Sequence, residues 1–311
     1  MKVRVFQEPP PESLGAELAR FEAQFRYPLG ANASFCISHG RRYITFFEAI
    51  GAPTLVVAEH DGVVLGTIAA ALRPLRFPDG SVHPVAYLGD LKVMPSARGG
   101  VVLARMFQEL HTRVAQPAGG RAYAVVMDGT DRLPSSYTGR LDIPAFARAG
   151  GISVLKIAAE PGRENLREIG REQSEQFASV GFRPLGGRAD SRSVIAPVVL
   201  ENDDGSAGGL LEDTRLAKRL LLPDGGEMLA AHLSGFNWRH PCDGARFLRG
   251  VSARCSAMGV PAFFTAVAAG FASELLAELS GCDVVVAPAT IFSCGIAGAA
   301  EVDWFVDTAE I

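Results

Sequence analysis

At 311 residues the chain exceeds the roughly 250 to 300 residues at which a single hydrophobic core stops growing, so two domains are expected. Its 48% apolar and 21% charged residues are the balance of an ordinary globular protein. A net charge of -4 gives no attraction to nucleic acid or to an anionic membrane, and neither is expected as a partner.

Residues 2–6 alternate as a first strand, and Pro9, Pro10 and Pro11 break it. Leu14, Leu18, Phe21 and Phe25 then fall at helical spacing and predict a helix over 12–25. Residues 26–38 read as a loop, and a second helix over 40–50 would bury Tyr43, Phe46, Phe47 and Ile50. Residues 54–59 and 63–72, joined by His60-Asp61-Gly62, read as a β-hairpin, because Asp-Gly suits the turn that matches strand twist. Pro78-Asp79-Gly80 marks another turn before a strand over 87–94, which Pro95 stops. Between that strand and a helix bearing Val102, Met106, Phe107, Leu110 and Val114 on one face lies Ser96-Ala97-Arg98-Gly99-Gly100. Here glycines permit a tight turn while open amides, the positive end of the helix dipole and an arginine converge, an arrangement suited to an anion. Residues 120–127, with AYAVVM, read as a fully buried strand.

The run Val93-Met94-Pro95-Ser96-Ala97-Arg98-Gly99-Gly100, between strand and helix, resembles the central motif of the GNAT acyltransferases, and the preceding order of elements is similar to theirs. The glycines sit early: counted from Arg98, the family's glycine positions hold Val101 and Leu103. The resemblance implies that this turn grips the pyrophosphate of acyl-CoA through Leu91, Val93, Arg98, Gly99, Gly100, Val101 and Val102. It also implies that the strands before and after the helix splay apart to admit the acyl thioester.

Residues 128–140 form a polar, turn-rich loop. A short helix over 143–151, a strand over 152–158, a boundary at Pro161-Gly162 and a charged helix over 163–180 follow. The second half reads as a strand over 193–200, an acidic and glycine-rich link over 201–209, and a helix over 210–221. Next come a strand over 228–233, a helix over 243–258, a strand over 262–267, a helix over 269–279, and strands over 282–292 and 301–306. This tail is similar to the end of a GNAT domain, which implies a tandem of two α/β units with mixed, splayed sheets, 1–160 and 161–311. In the second unit Phe236-Asn237-Trp238-Arg239-His240-Pro241-Cys242-Asp243-Gly244 stands where the Arg-Gly turn would be, so that copy is expected to be degenerate. The uncharged stretch 255–273 is punctuated by Gly259, Pro261 and Gly270, which argues against a membrane span. The five cysteines, Cys36, Cys242, Cys255, Cys282 and Cys294, lack C-x-x-C spacing, so no disulfide framework or zinc knuckle is expected and a reducing cytoplasm is the simplest home.

The motifs of P-loop, dinucleotide, serine-hydrolase and zinc-protease sites are absent. For the chemistry the resemblance implies, an amine of pKa near 10.4 must lose a proton at about 4 kcal/mol at pH 7, so a base is needed. Asp90 stands where the family often has a carboxylate, and Tyr137 is the nearest tyrosine that could protonate the leaving thiolate. Phe146 and Phe177 occupy the contexts in which the family often has that tyrosine. His39, His83, His232 and His240 could each act as a base, and no spacing singles one out; His240, beside Trp238 and Arg239, could line an acceptor pocket between the units. The expected function is transfer of an acetyl or other acyl group from acyl-CoA to a small-molecule or peptide amine, without a metal. The alternative is a CoA-binding or interacting protein that keeps the fold without catalysis.

Overall fold

The computed structural model describes residues 1–29, 33–99, 101–130, 132–170 and 180–311. The first half runs β1 (Lys2–Phe6), α1 (Glu12–Glu22), β2 (Tyr27–Leu29), β3 (Ala33–Ser38), α2 (Thr45–Ile50), β4 (Ala52–His60), β5 (Val63–Arg76), β6 (Val82–Val93), α3 (Val102–Val114), β7 (Ala122–Met127) and β8 (Ala147–Ala158). The second runs β9 (Leu166–Ile169), β10 (Gly181–Pro184), α4 (Ala189–Arg192), β11 (Val198–Asn202), β12 (Ala207–Glu212), β13 (Arg219–Leu221), β14 (Ala231–Trp238), α5 (Pro241–Ala257), β15 (Ala262–Ala268), α6 (Ala269–Glu278), β16 (Val284–Cys294) and β17 (Asp303–Trp304). The architecture is mixed α/β.

One mixed sheet crosses the whole chain in the order β1-β4-β5-β6-β7-β16-β8-β15-β14-β12-β11-β9. Each half contributes a strand to the other's side of the centre. The late strand β16 lies between β7 and β8, and the early strand β8 lies between β16 and β15. The two halves therefore share one continuous ladder of hydrogen bonds. Apolar side chains alternate between its faces, so Leu55, Val57, Ala69 and Tyr87 enter one core while Val56, Ala58, Ile68 and Leu88 enter another, under α3. A third core lies beneath α5 and α6.

Among the described residues parallel pairing is brief wherever it occurs: β10 meets β17 only at Gly181–Asp303 and Phe182–Trp304, and the two pairs joined through a helix, β6–β7 and β14–β15, are hardly longer. β6 meets β7 only from Ala86–Ala122 to Leu88–Ala124, although β6 continues to Val93 and β7 to Met127. Beyond that point the strands part, as the resemblance implied. A β-bulge helps: the register of β6 with β5 shifts between Thr67 and Ala69, and Asp90 adopts φ +52°. β14 and β15 pair only through Ala231–Phe263 and His232–Phe264. Past that pairing Phe236 packs 4.6 Å from Trp238 and 5.9 Å from Phe247 of α5.

Several expectations are corrected. Residues 26–38 hold the antiparallel pair β2 and β3 rather than a loop. α2 begins only at Thr45, after Gly40 turns the chain at φ +61°. Of the helix expected over 143–151, residues 147–151 are instead the start of β8, whose Gly150 and Gly151 favour helix poorly and whose two edges are taken by β15 and β16. Within 163–180, Leu166–Ile169 pairs as a strand with β11, and 171–179 lie outside the described residues. Residues 201–209 are no linker: β11 and β12 form a buried hairpin. The helix expected over 210–221 is the end of β12, a 3₁₀ turn and β13, because Glu212 is buried and its carboxylate takes two bonds from Arg192, at 2.6 and 2.7 Å. α5, β15, α6, β16 and the hairpin turn at Asp61 and Gly62, both at positive φ, lie within a few residues of their predicted positions. No helix among the described residues is long and apolar enough to cross a membrane.

Candidate active site

Where β6 and β7 part, a cavity of about 250 Å³ opens. Leu88 to Leu91 line it from β6, and Ala124 to Met127 from β7. These four residues of β7 are half-buried, not fully buried as the sequence suggests, because their neighbouring strand has moved away. The cavity reaches both faces of the sheet through this gap: Phe107, Ile143 and Phe146 belong to the core under α3, whereas Phe35, Phe46 and Phe47 belong to the opposite core, and all six line it. Lys218, His232 and Thr308 from the second half complete the wall.

Asp90 and Tyr137 both line this cavity. The bulge places Asp90 so that its carbonyl accepts from Thr67 Oγ1 at 2.9 Å and its Oδ1 accepts from Lys92 Nζ at 2.7 Å. Burial opposes its ionisation, but the neighbouring His39 and Lys92 outweigh this and hold the carboxyl below the usual range. Lys92 is buried too, yet Asp90 and other neighbours hold it well above the ordinary lysine value. Its ammonium also reaches Glu22 Oε1 at 3.0 Å. Tyr137 is half-buried after a 3₁₀ turn at Pro134–Ser136, and burial pushes its phenol up to about 12.

Glu22, His39 and Asp90 bring three possible metal-ligating atoms within 4.8 Å of one another. Lys92 already supplies a cation bonded to both carboxylates, so an ion there would have to displace a buried ammonium. The donor set fits a lysine-neutralised cluster better than a metal centre. Glu22 ends α1, His39 follows β3 and Lys92 lies on β6, and the sequence marks none of them as a group. The one local signal is that Asp90 and Lys92 stand two apart on a strand, which places them on one face.

The turn after β6 is a short 3₁₀ segment, Pro95–Ala97. Arg98 folds back, its Nε donating to Val93 O at 3.3 Å, and Gly99 sits at φ +82°. Gly100 lies outside the described residues. Val101, 58% exposed, is the N-cap residue of α3, and no side chain caps that helix. Val102 is buried in the core under α3, so only its backbone N–H could serve a ligand. Leu91 lines the cavity, and Val93 ends β6 opposite Gly66.

No family model and no curated protein sequence matches the chain. Solved structures do. N-myristoyltransferase from Saccharomyces cerevisiae with bound myristoyl-CoA is 10% identical with a TM-score of 0.57, over 94% of this chain and 82% of its own. An acetyltransferase candidate from Pyrococcus horikoshii is 10% identical with a TM-score of 0.55, over 99% of this chain and 95% of its own. A GCN5-related N-acetyltransferase from Anabaena variabilis is 12% identical with a TM-score of 0.50, over 94% of this chain and 72% of its own. At such identities the likeness is one of fold: along almost its whole length the chain shares the architecture of these structures.

Proposed function

We propose that the protein is an acyl-CoA-dependent N-acyltransferase that moves an acetyl or other acyl group to a small-molecule or peptide amine. The observation that carries this reading is the gap between β6 and β7, which opens into a cavity reaching both faces of the sheet. A thioester lying in the gap would be open to an amine arriving from the opposite face. The free amides at the start of α3, with Gly99, Gly100 and Arg98, would hold the pyrophosphate, since an uncapped helix N-terminus favours anions. Leu91, Val93, Val101 and Val102 would flank the cofactor. Asp90 belongs to the group that takes the amine proton, and Tyr137 would protonate the departing thiolate, a role suited to a phenol that stays protonated at neutral pH.

The reading extends to a tandem of units, 1–160 and 161–311, of which only the first binds CoA. In the second, Phe236 and Trp238 pack where the strands part, and the turn after β14 lacks an Arg-Gly pair. The five free cysteines suit a cytoplasmic protein. Release of CoA from acetyl-CoA and longer acyl-CoAs, measured with and without a panel of primary amines and peptides, tests the function. Amine-stimulated release supports it. CoA binding with no release in any combination would favour a non-catalytic CoA-binding protein.

A further inference from the structure

Two residues of the cavity wall each bury a side-chain atom that accepts no hydrogen bond, His39 at Nε2 and Asp90 at Oδ2, and only Asp90 Oδ2 has an ion-pairing neighbour, His39 Nδ1 at 3.2 Å. His39 is 5% exposed and lines the cavity, and its Nε2 is buried without a hydrogen-bond partner. Its other nitrogen is committed, because Nδ1 lies 2.7 Å from Glu22 Oε1 and 3.2 Å from Asp90 Oδ2. A carboxylate only accepts, so Nδ1 carries a proton, and the neutral form of the ring has its lone pair at Nε2. Glu22 also accepts the backbone N–H of His39 at 3.0 Å, gripping main chain and ring together. Tyr43 and Phe46, with ring centroids 4.8 and 5.1 Å away, hold the imidazole plane.

Charged and phenolic groups surround the ring. Facing it are Glu22 from α1, Asp90 and Lys92 from β6, and the phenols of Tyr27 and Tyr43, both raised by burial. Lys218 lines the same cavity, and burial pushes it down to about 7. With Glu22, Asp90 and Lys92 charged, the cluster holds one net negative charge around a neutral ring and none around an imidazolium. Nε2 is the acceptor left open, whereas Asp90 has Oδ1 tied to Lys92 at 2.7 Å and Oδ2 set against His39 Nδ1 at 3.2 Å.

The geometry points to His39 as the proton acceptor of acyl transfer, with Glu22 and Asp90 as positioning residues; this rests on the acyltransferase reading above. The amine nitrogen attacks the thioester carbonyl, a C–N bond forms and the C–S bond breaks. The sulfur leaves with its electron pair and takes the Tyr137 proton. The surplus proton of the amine passes to His39 Nε2 and returns through solvent to the Tyr137 phenolate, so amide and free thiol are the only products.

The test compares the full-length parent with His39→Asn, which keeps a donor for Glu22 but has no atom in place of Nε2, and with His39→Ala. Acetyl-CoA affinity is measured by calorimetry, and amine-dependent CoA release is followed from pH 6 to 9. We expect unchanged affinity in both variants, turnover at pH 7 lowered about a hundredfold or more, a rate that climbs with pH instead of levelling, and partial rescue of His39→Ala by imidazole. A merely structural histidine would give neither the altered pH profile nor the rescue. A parent that transfers while His39→Asn keeps its rate and profile overturns this inference alone. Loss of acetyl-CoA binding in both variants, with no rescue, also overturns it, because His39 then acts through the fold. A parent that transfers to no amine overturns the acyltransferase reading and the inference with it.

Discussion

Leu88 and Ala124 are the last residues through which β6 and β7 pair, and the strands diverge from that point to open the cavity. Ala124→Phe would place a ring in the space assigned to the thioester without touching the turn at Arg98. Acyl-CoA affinity should fall more than tenfold by calorimetry, with the thermal midpoint within a few degrees of the parent.

Asp90→Asn removes the charge that faces His39 and pairs with Lys92. Turnover should fall about a hundredfold or more while CoA affinity stays put, since the pyrophosphate site lies elsewhere. A rate equal to the parent's from pH 6 to 9 would make Asp90 a structural residue of the bulge.

Tyr137→Phe should lower turnover by about tenfold, less than the hundredfold or more usual for loss of a general acid, because a thiolate of pKa near 8.5 leaves tolerably unaided. The deficit should shrink when the acyl donor is a thioester of a more acidic thiol. A deficit independent of the leaving thiol would remove the acid role.

Lys218 donates to Thr308 O at 3.0 Å and to Ile311 O, and burial followed by the charge of Arg192 pushes it down to about 7. Between about pH 7 and 10.5 the unfolded chain therefore binds a proton that the folded chain does not. The penalty for burying this lysine is complete below pH 7 and fades as the pH rises towards 10.5. Between pH 7 and 9 the parent should gain up to about 3 kcal/mol more stability than Lys218→Met, at about 1.4 kcal/mol per pH unit. Urea denaturation of both proteins at the two pH values measures this, and parallel curves would contradict it.

Local pattern made part of this fold legible. α3 buries the five apolar residues that its spacing marks, and Asp61-Gly62 turns the hairpin. What stayed hidden depends on distant partners. The apolar spacing of 210–221 suits a helix, yet Glu212 becomes a buried strand residue because Arg192, twenty positions earlier, bonds both its oxygens. β8 reads as helix and strand because its neighbours β15 and β16 lie more than a hundred residues away. Asp90 and Tyr137 were visible as candidates and do reach one cavity. Glu22, His39 and Lys92 were not visible as a set, since Glu22 looks like a surface charge on an amphipathic helix until His39 and Lys92 close over it.

The proposed function needs CoA to lie across the turn after β6 with its sulfur in the β6–β7 gap. A crystal structure of the full chain grown with CoA tests it most directly. We expect one CoA per chain, its pyrophosphate on the amides at the start of α3 and its sulfur near Leu88 and Ala124. CoA bound at the turn after β14, or bound with its sulfur outside the gap, would contradict it.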